Sequence, residues 1–238
     1  MTNMASGNTI AGIAALIGDP ARANILLALM GGQALTAGEL ARQAGVTAQT
    51  TSGHLARLAD AEMIVMEKQG RHRYFRLASQ EIAQAIESLS VIASMGPKRH
   101  HPIGPKDEAL RRARTCYDHI AGRLGLALAN SMQNRGFVIL ADGAGAITVE
   151  GELFLENFGL DMKSPMRSQR PLCRACLDWS ERRYHIAGRL GAALLSRSLE
   201  LGWIESVPES RALKITPAGE RGFKDNFSFA PVPTSRKS

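Results

Sequence analysis

The sequence predicts a mainly helical chain with small β-hairpin wings, an α+β fold. It reads as a winged helix-turn-helix followed by a duplicated helix–hairpin–helix domain. Three observations predict it. Two short capped helices stand directly before a basic β-hairpin. The heptapeptide HIAGRLG occurs at His119–Gly125 and again at His185–Gly191. Between these features lies the Pro- and Gly-rich cationic stretch MGPKRHHPIGPKDE, which reads as a linker. The predicted domains are 1–96 for DNA binding and dimerisation, a linker over 97–108, a sensing domain over 109–227 built of repeats 109–162 and 173–227, and a disordered tail over 228–238.

Asp19-Pro20 opens the first clear helix, with Asp at the N-cap and Pro in the first turn. Ile25, Leu26 and Leu29 then share a face, and Gly31-Gly32 stops the run. In LTAGELARQAG, Thr36 and Glu39 have capping-box spacing and Gly45 suits a C-cap. The next helix is N-capped by Thr47 and buries Leu55 and Leu58. Its other face carries Gln49, Thr51, Ser52 and His54, small polar groups at the end that enters a major groove.

The hairpin MIVMEKQGRHRYFRLAS turns at Gln69-Gly70, where Gly70 suits positive φ. Lys68, Arg71, His72 and Arg73 crowd its tip. Such a tip repels itself unless a phosphate backbone is near. Gln49, Ser52 and His54 are therefore predicted to reach base edges, and Thr47, Lys68, Arg71 and Arg73 phosphates. A following helix with Ile82, Ile86, Leu89 and Ala93 in register, together with the N-terminal IAGIAALIG, offers more apolar surface than a winged helix covers alone. A homodimer reading two half-sites on double-stranded operator DNA follows.

These residues resemble the ArsR/SmtB family of winged-helix repressors. The resemblance spans about residues 8 to 95. It rests on the Ser52-Gly53-His54-Leu55 pattern of the recognition helix and on Gly70-Arg71-His72-Arg73-Tyr74 in the wing. It implies a regulator, with repression relieved by an effector as the default. Many members of that family sense metals through a cysteine pair on the helix before the recognition helix. Here that helix, TAGELARQAG, has no cysteine, so any sensing belongs elsewhere.

In the second half, each repeat reads as a helix of about five turns ending at Arg135-Gly136 or Leu201-Gly202, then a hairpin, then a helix start. Glycine inside a helix costs roughly 1 kcal/mol against alanine, so Gly122, Gly125, Gly188 and Gly191 call for close helix–helix approach. His119 and His185 then lie at that seam, with Cys116 at its mouth. The inter-repeat segment brings Cys173, Cys176, Asp178 and Trp179 toward the same place.

The seam set fits four chemistries. One is a small organic effector on Cys116, Tyr117, His119, Cys176, Asp178, Trp179, Tyr184 and His185. Another is a thiophilic metal or metalloid on Cys116, His119, Cys173, Cys176 and His185. The third is a redox switch of thiols whose pKa is lowered by Arg174, Arg182 and Arg183. The fourth is a purely structural seam.

Net charge is +7 with pI near 9.7, which favours a polyanionic partner. Three cysteines make no disulfide framework, and the uncharged run Met1–Gly18 reads as neither signal peptide nor membrane span, so the expected location is the cytoplasm, with no membrane partner. An enzyme using Cys116 and His119 as nucleophile and base is disfavoured. No oxyanion hole is recognisable, and Asp118, the one candidate orienting group, points off their helical face.

Overall fold

The structure, a computed structural model, describes residues 6–95, 105–141, 143–162, 170–208 and 210–231. The chain forms two compact units, Met1–Ile86 and Glu87–Ser238.

The first unit begins with α1 (Gly7–Ile17), which has no buried residue. Asp19 caps α2 (Pro20–Leu29) by accepting from the Arg22 amide at 2.9 Å, with Pro20 in the first turn. Strand β1 (Leu35–Thr36) leads into α3 (Ala37–Ala44), which has the reciprocal Thr36–Glu39 capping box and ends at Gly45 with φ +69°. The Thr47 hydroxyl caps α4 (Ala48–Asp60). Strands β2 (Ile64–Gln69) and β3 (His72–Leu77) form the wing, turning through Gly70 at φ +60°. β1 joins the outer side of β3, giving the order β1-β3-β2. A two-residue strand has no alternation to read, so the sequence gives no sign of β1. Ile25, Leu26, Leu29, Leu40, Leu55, Leu58, Ile64 and Leu77 are buried in the core.

Helix α5 (Gln80–Met95) crosses the boundary between the units. Its predicted stripe is corrected: Ala83, Ile86, Glu87 and Val91 are buried, whereas Leu89 and Ala93 are exposed. The helix is apolar on two faces, and this chain covers one of them. No single helix among the described residues is long and apolar enough to cross a membrane. α1 and α2 reach that length only together, and they are bent by 85° at their junction.

In the second unit, α6 (Pro105–Arg112) starts inside the stretch predicted as linker, so residues 105–108 are helical. Residues 96–104, including His100-His101, lie outside the described residues.

The first repeat then runs β4 (Arg114–Cys116), β5 (His119–Ala121), α7 (Gly122–Asn134), β6 (Val138–Ala141), β7 (Ala144–Ile147) and α8 (Val149–Asn157). The second runs β8 (Arg174–Leu177), β9 (Tyr184–Ala187), α9 (Gly188–Glu200), β10 (Ile204–Ser206), β11 (Leu213–Ile215) and α10 (Pro217–Phe227). Both begin with a hairpin whose second strand lies where the sequence predicts helix. HIAGRLG is therefore not helical throughout: His119–Ala121 and His185–Ala187 are strand, and the helices start at Gly122 and Gly188.

The two repeats embrace reciprocally. Bridges join Arg114 to Ala212 and Gly145 to Cys173, so the start of each repeat lies beside the second hairpin of the other. One apolar core serves both, with Leu124, Leu128 and Phe158 from the first repeat and Leu190, Trp203 and Phe223 from the second. The predicted disordered tail is also corrected at its start: Phe229 stacks on Phe223 with ring centroids 5.5 Å apart. Residues 232–238 lie outside the described residues.

Candidate nucleic-acid interface and a buried Cys/His cluster

On α4, Gln49, Ser52 and the cap residue Thr47 are exposed. Two residues predicted for DNA turn inward. Thr51 is fully buried, its hydroxyl donating to the Thr47 carbonyl at 2.9 Å. This is the back-bond a mid-helix threonine makes. His54 is half-buried, with Nδ1 3.4 Å from Arg22 Nη1 and 3.9 Å from an Asp19 oxygen.

Arg22 is the residue the sequence reading missed. Its guanidinium donates to the Leu16 and Ala15 carbonyls at 2.7 and 3.0 Å, tying the end of α1 to α2 beside His54. Arg57 was also missed. It stands two turns after Gln49 on the exposed side of α4, and the spacing Gln49-Gly53-Arg57 was the available signal.

The wing tip is exposed at Lys68, Arg71, His72 and Arg73. The strand register sets Lys68 directly opposite Arg73, and like charges in that position destabilise a hairpin. A wing built for its own stability would not pair two cations there.

The second unit holds a different site. In β4–β5 the register pairs Cys116 with His119, and in β8–β9 it pairs Cys176 with His185. Each hairpin thus presents one thiol and one imidazole on a single face, and the reciprocal embrace brings the two faces together. One ligand atom from each of the four buried residues lies within 4.8 Å of every other. The Sγ atoms of Cys116 and Cys176 are 4.0 Å apart, and the Nε2 atoms of His119 and His185 are 3.1 Å apart.

Behind the cluster stand two carboxylates. His119 Nδ1 is 3.3 Å from Asp118 Oδ1, and Asp118 is held by the Arg170 guanidinium. His185 Nδ1 is 4.0 Å from Asp178 Oδ2 and has no hydrogen-bond partner among the described residues. Asp178 is fully buried. It accepts from the buried Arg114 guanidinium at 2.8 Å and from the Gly122 amide at 2.7 Å, and its other oxygen takes the Ser180 and Glu181 amides.

Burial opposes ionisation of Asp178, but Arg114 and the hydrogen bonds from Ser180 and Gly122 outweigh it, holding its carboxyl well below the usual carboxylate range. Burial also opposes a charge on His119. The neighbouring Cys116 and Asp118 overcome this and raise it to about 9, whereas burial and the His119 charge push His185 well down. The two Nε2 atoms face one another at hydrogen-bond distance, so one of them donates the proton that the other accepts.

The remaining sequence candidates separate. Cys173 lies outside the cluster and packs against Gly145, where an added Cβ would come within 2.7 Å of its Sγ. Residues three apart on extended chain face opposite ways, so Cys173 and Cys176 cannot act together as a helical or turn-borne pair would. Thiol pKa values run against the redox expectation. The hydrogen bond from Cys176 and burial push Cys116 well up, and burial pushes Cys173 up to about 11. Trp179 lies beneath the Arg114 guanidinium, 4.6 Å from it. Tyr117 and Asp118 form the turn of the first hairpin, with Tyr117 at φ +60°. Asp118 therefore stands beside His119 rather than off its face. Asp178 supports the cluster from behind through His185.

The glycines have two roles. Gly122 and Gly188 take φ of +74° and +81° where strand passes into helix. Gly125 and Gly191 sit under the cluster: a Cβ on Gly191 would fall 2.6 Å from the Ile186 carbonyl and 2.9 Å from His119 Cβ. The seam between Gly125 and Gly191, lined by Ile120, Leu128, Ile186 and Leu194, holds no water-sized space.

A helix pair with an exposed polar recognition face and a cationic wing defines a DNA-binding transcriptional regulator. Residues 17–67 match the helix-turn-helix domain model. The chain is 43% identical over 219 residues to the HTH-type transcriptional regulator YdfF of Bacillus subtilis, covering 92% of this chain and 97% of that protein. It is 32% identical over 82 residues to the HTH-type transcriptional regulator CmtR of Mycobacterium tuberculosis, covering 34% of this chain and 69% of that protein. The solved homodimeric winged helix-turn-helix domain of Mb0332 from Mycobacterium bovis, a possible ArsR-family regulator, aligns with TM-score 0.36 at 20% identity, over 43% of this chain and 98% of that one. The chain belongs to the family of HTH-type transcriptional regulators, and its N-terminal unit is a winged helix-turn-helix.

Proposed function

We propose that the protein acts in the cytoplasm as a homodimeric repressor, reading operator DNA with α4 and the wing and taking its effector signal through the second unit. The carrying observation is Lys68 opposite Arg73 at an exposed wing tip, in the same unit as the exposed Gln49 and Ser52 of α4. Gln49 and Ser52 face bases, with Arg57 continuing the same side. Thr47, Lys68, Arg71 and Arg73 face phosphate. His54 and Thr51 support the helix from within. Dimerisation is supported by apolar residues the chain leaves uncovered, Ile10 on α1 and Leu89, Ile92 and Met95 on α5. Repression is the economical outcome, because a dimer seated on a promoter needs no further machinery. An effector would shift DNA affinity by a coupling of about 1–3 kcal/mol.

The test is a gel shift on the DNA upstream of the regulated gene across a salt series. Arg71→Ala with Arg73→Ala should weaken binding to all sequences and lower the salt slope by about 2, roughly one per phosphate contact. Gln49→Ala should instead relax discrimination at one base pair. An unchanged salt slope in the double variant would refute the wing assignment.

A further inference from the structure

We propose that Cys116, His119, Cys176 and His185 form a closed, four-coordinate zinc site that joins the two repeats of the second unit. It goes beyond the DNA-binding reading and does not rest on it.

The donor distances suit a tetrahedral ion. With Zn–S of about 2.3 Å and Zn–N of about 2.0–2.1 Å, the S···S edge of a tetrahedron is about 3.8 Å and the N···N edge about 3.3 Å. The protein holds its two Sγ atoms at 4.0 Å and its two Nε2 atoms at 3.1 Å, so each pair needs to move by only a few tenths of an ångström. Two thiolates and two imidazoles are a donor set that zinc favours, and all four come from the chain, as in sites that hold structure rather than perform chemistry.

The surroundings support the same assignment. Both histidines turn Nε2 toward the cluster and Nδ1 toward a carboxylate, Asp118 for His119 and Asp178 for His185. That carboxylate–histidine arrangement fixes the tautomer a metal requires. It also gives the unsatisfied His185 Nδ1 a purpose, since with Nε2 on the metal the proton resides on Nδ1, facing Asp178. Charge closes as well. Asp118 is balanced by Arg170 and Asp178 by Arg114, so a dication with two thiolates adds no net charge to the interior. Binding exchanges protons for metal: the two thiol protons leave as the two Zn–S bonds form, each imidazole offers the Nε2 lone pair with its ring proton on Nδ1, and nothing is oxidised or reduced.

Each hairpin contributes two of the four ligands, so the ion would fasten the first repeat to the second at the point where they embrace. The sequence spacing conceals this. Cys116-x2-His119 and Cys176-x8-His185 are unlike one another, and only the strand registers make them equivalent.

The experiment uses the full-length chain, purified without chelator, in the absence of DNA. Elemental analysis should find one zinc per chain. Cobalt(II) added to metal-stripped chain should give the intense visible bands of a tetrahedral ion together with near-ultraviolet thiolate-to-cobalt charge transfer. Cys173→Ser should leave both signals intact. Cys116→Ser and Cys176→Ser should each remove about half of the charge-transfer intensity and weaken zinc binding by more than 100-fold, beyond the 10–100-fold expected when a residue that only orients a ligand is changed. Should those variants fail to fold, the cobalt titration of the unaltered chain still decides. An octahedral spectrum without charge transfer, a Cys116–Cys176 disulfide in freshly purified chain, or copper in place of zinc would overturn the assignment. Because the readout contains no DNA, a failed gel shift leaves this result untouched.

Discussion

The two hairpins that open the repeats carry the same thiol–imidazole pair and are supported in different ways. The first closes through two residues, Tyr117 and Asp118, and its carboxylate is half-buried against Arg170. The second closes through the six residues from Asp178 to Arg183, and its carboxylate is fully buried on Arg114 of the first repeat. Asp178 also receives the Gly122 amide, so it caps α7, where Ala121 offers no side-chain cap. The start of α9 is satisfied otherwise, by the Pro171 and Leu172 carbonyls, which accept from the Arg189 and Leu190 amides. The two hairpins thus share the register that places the four donors and differ in how those donors are supported. The first repeat depends on a side chain from the second to begin its helix, whereas the second begins its own helix with backbone.

The largest expected effect follows from that dependence. Asp178→Ala leaves the Arg114 guanidinium buried without its counter-ion and α7 without a cap. Breaking a buried pair from one side costs about 3–5 kcal/mol, which urea unfolding would measure. Because the Asp178 carboxyl is held below its unfolded value of about 3.9, its contribution is present above that pH and lost as pH falls through the folded value. The variant should therefore lose much of its stability at neutral pH and show a flatter decline on acidification. An Asp178→Ala loss no greater than that of Asp118→Ala would break the comparison.

A middle-sized effect is expected at the glycines beneath the cluster. An alanine at Gly191 meets both the Ile186 carbonyl and His119 Cβ. An alanine at Gly125 meets the Ile120 carbonyl at 2.3 Å but stands 3.7 Å from His185 Cβ. Both substitutions overpack a closed seam and should cost about 1–3 kcal/mol in thermal or urea unfolding. Gly191→Ala alone should also displace an imidazole and alter the cobalt spectrum, whereas Gly125→Ala should leave that spectrum as it is.

The same contrast separates what the sequence makes legible from what it hides. In the first unit each element announces itself locally: Asp19-Pro20, the Thr36–Glu39 box, Gly45 and Gly70 all sit where the structure uses them. Thr51 and His54 were misplaced because on a helix of small polar residues the buried edge is set by its neighbours, here α2 through Arg22.

In the second unit the opening hairpins leave no such mark. Strands of three and four residues give little alternation, and His119, Ile120 and Ala121 are all buried, so polarity does not alternate either. Ile120, Leu124 and Leu128 continue at spacing four across the strand–helix junction, which reads as one helix. The convergence of both histidines and Cys116 was legible from the repeat. Cys176 and the exclusion of Cys173 needed the register, because equal positions in the two repeats are separated by unequal loops.

The smallest stability change is expected at Asp118, and it sharpens the contrast most. Asp118 and Arg170 both keep solvent contact, so losing their ion pair should cost no more than about 1 kcal/mol. Asp118→Asn preserves size and keeps an oxygen able to accept from His119 Nδ1, yet removes the charge that orients and enriches that ring. Zinc affinity should fall by about 10–100-fold, read by competition with a chromogenic chelator, while urea unfolding of the metal-free chain barely changes. Asp178→Asn should lower both. The first hairpin's carboxylate would then act through the histidine alone, and the second's through the histidine and the fold together. A parallel loss of stability and affinity at Asp118 would instead make the two supports equivalent.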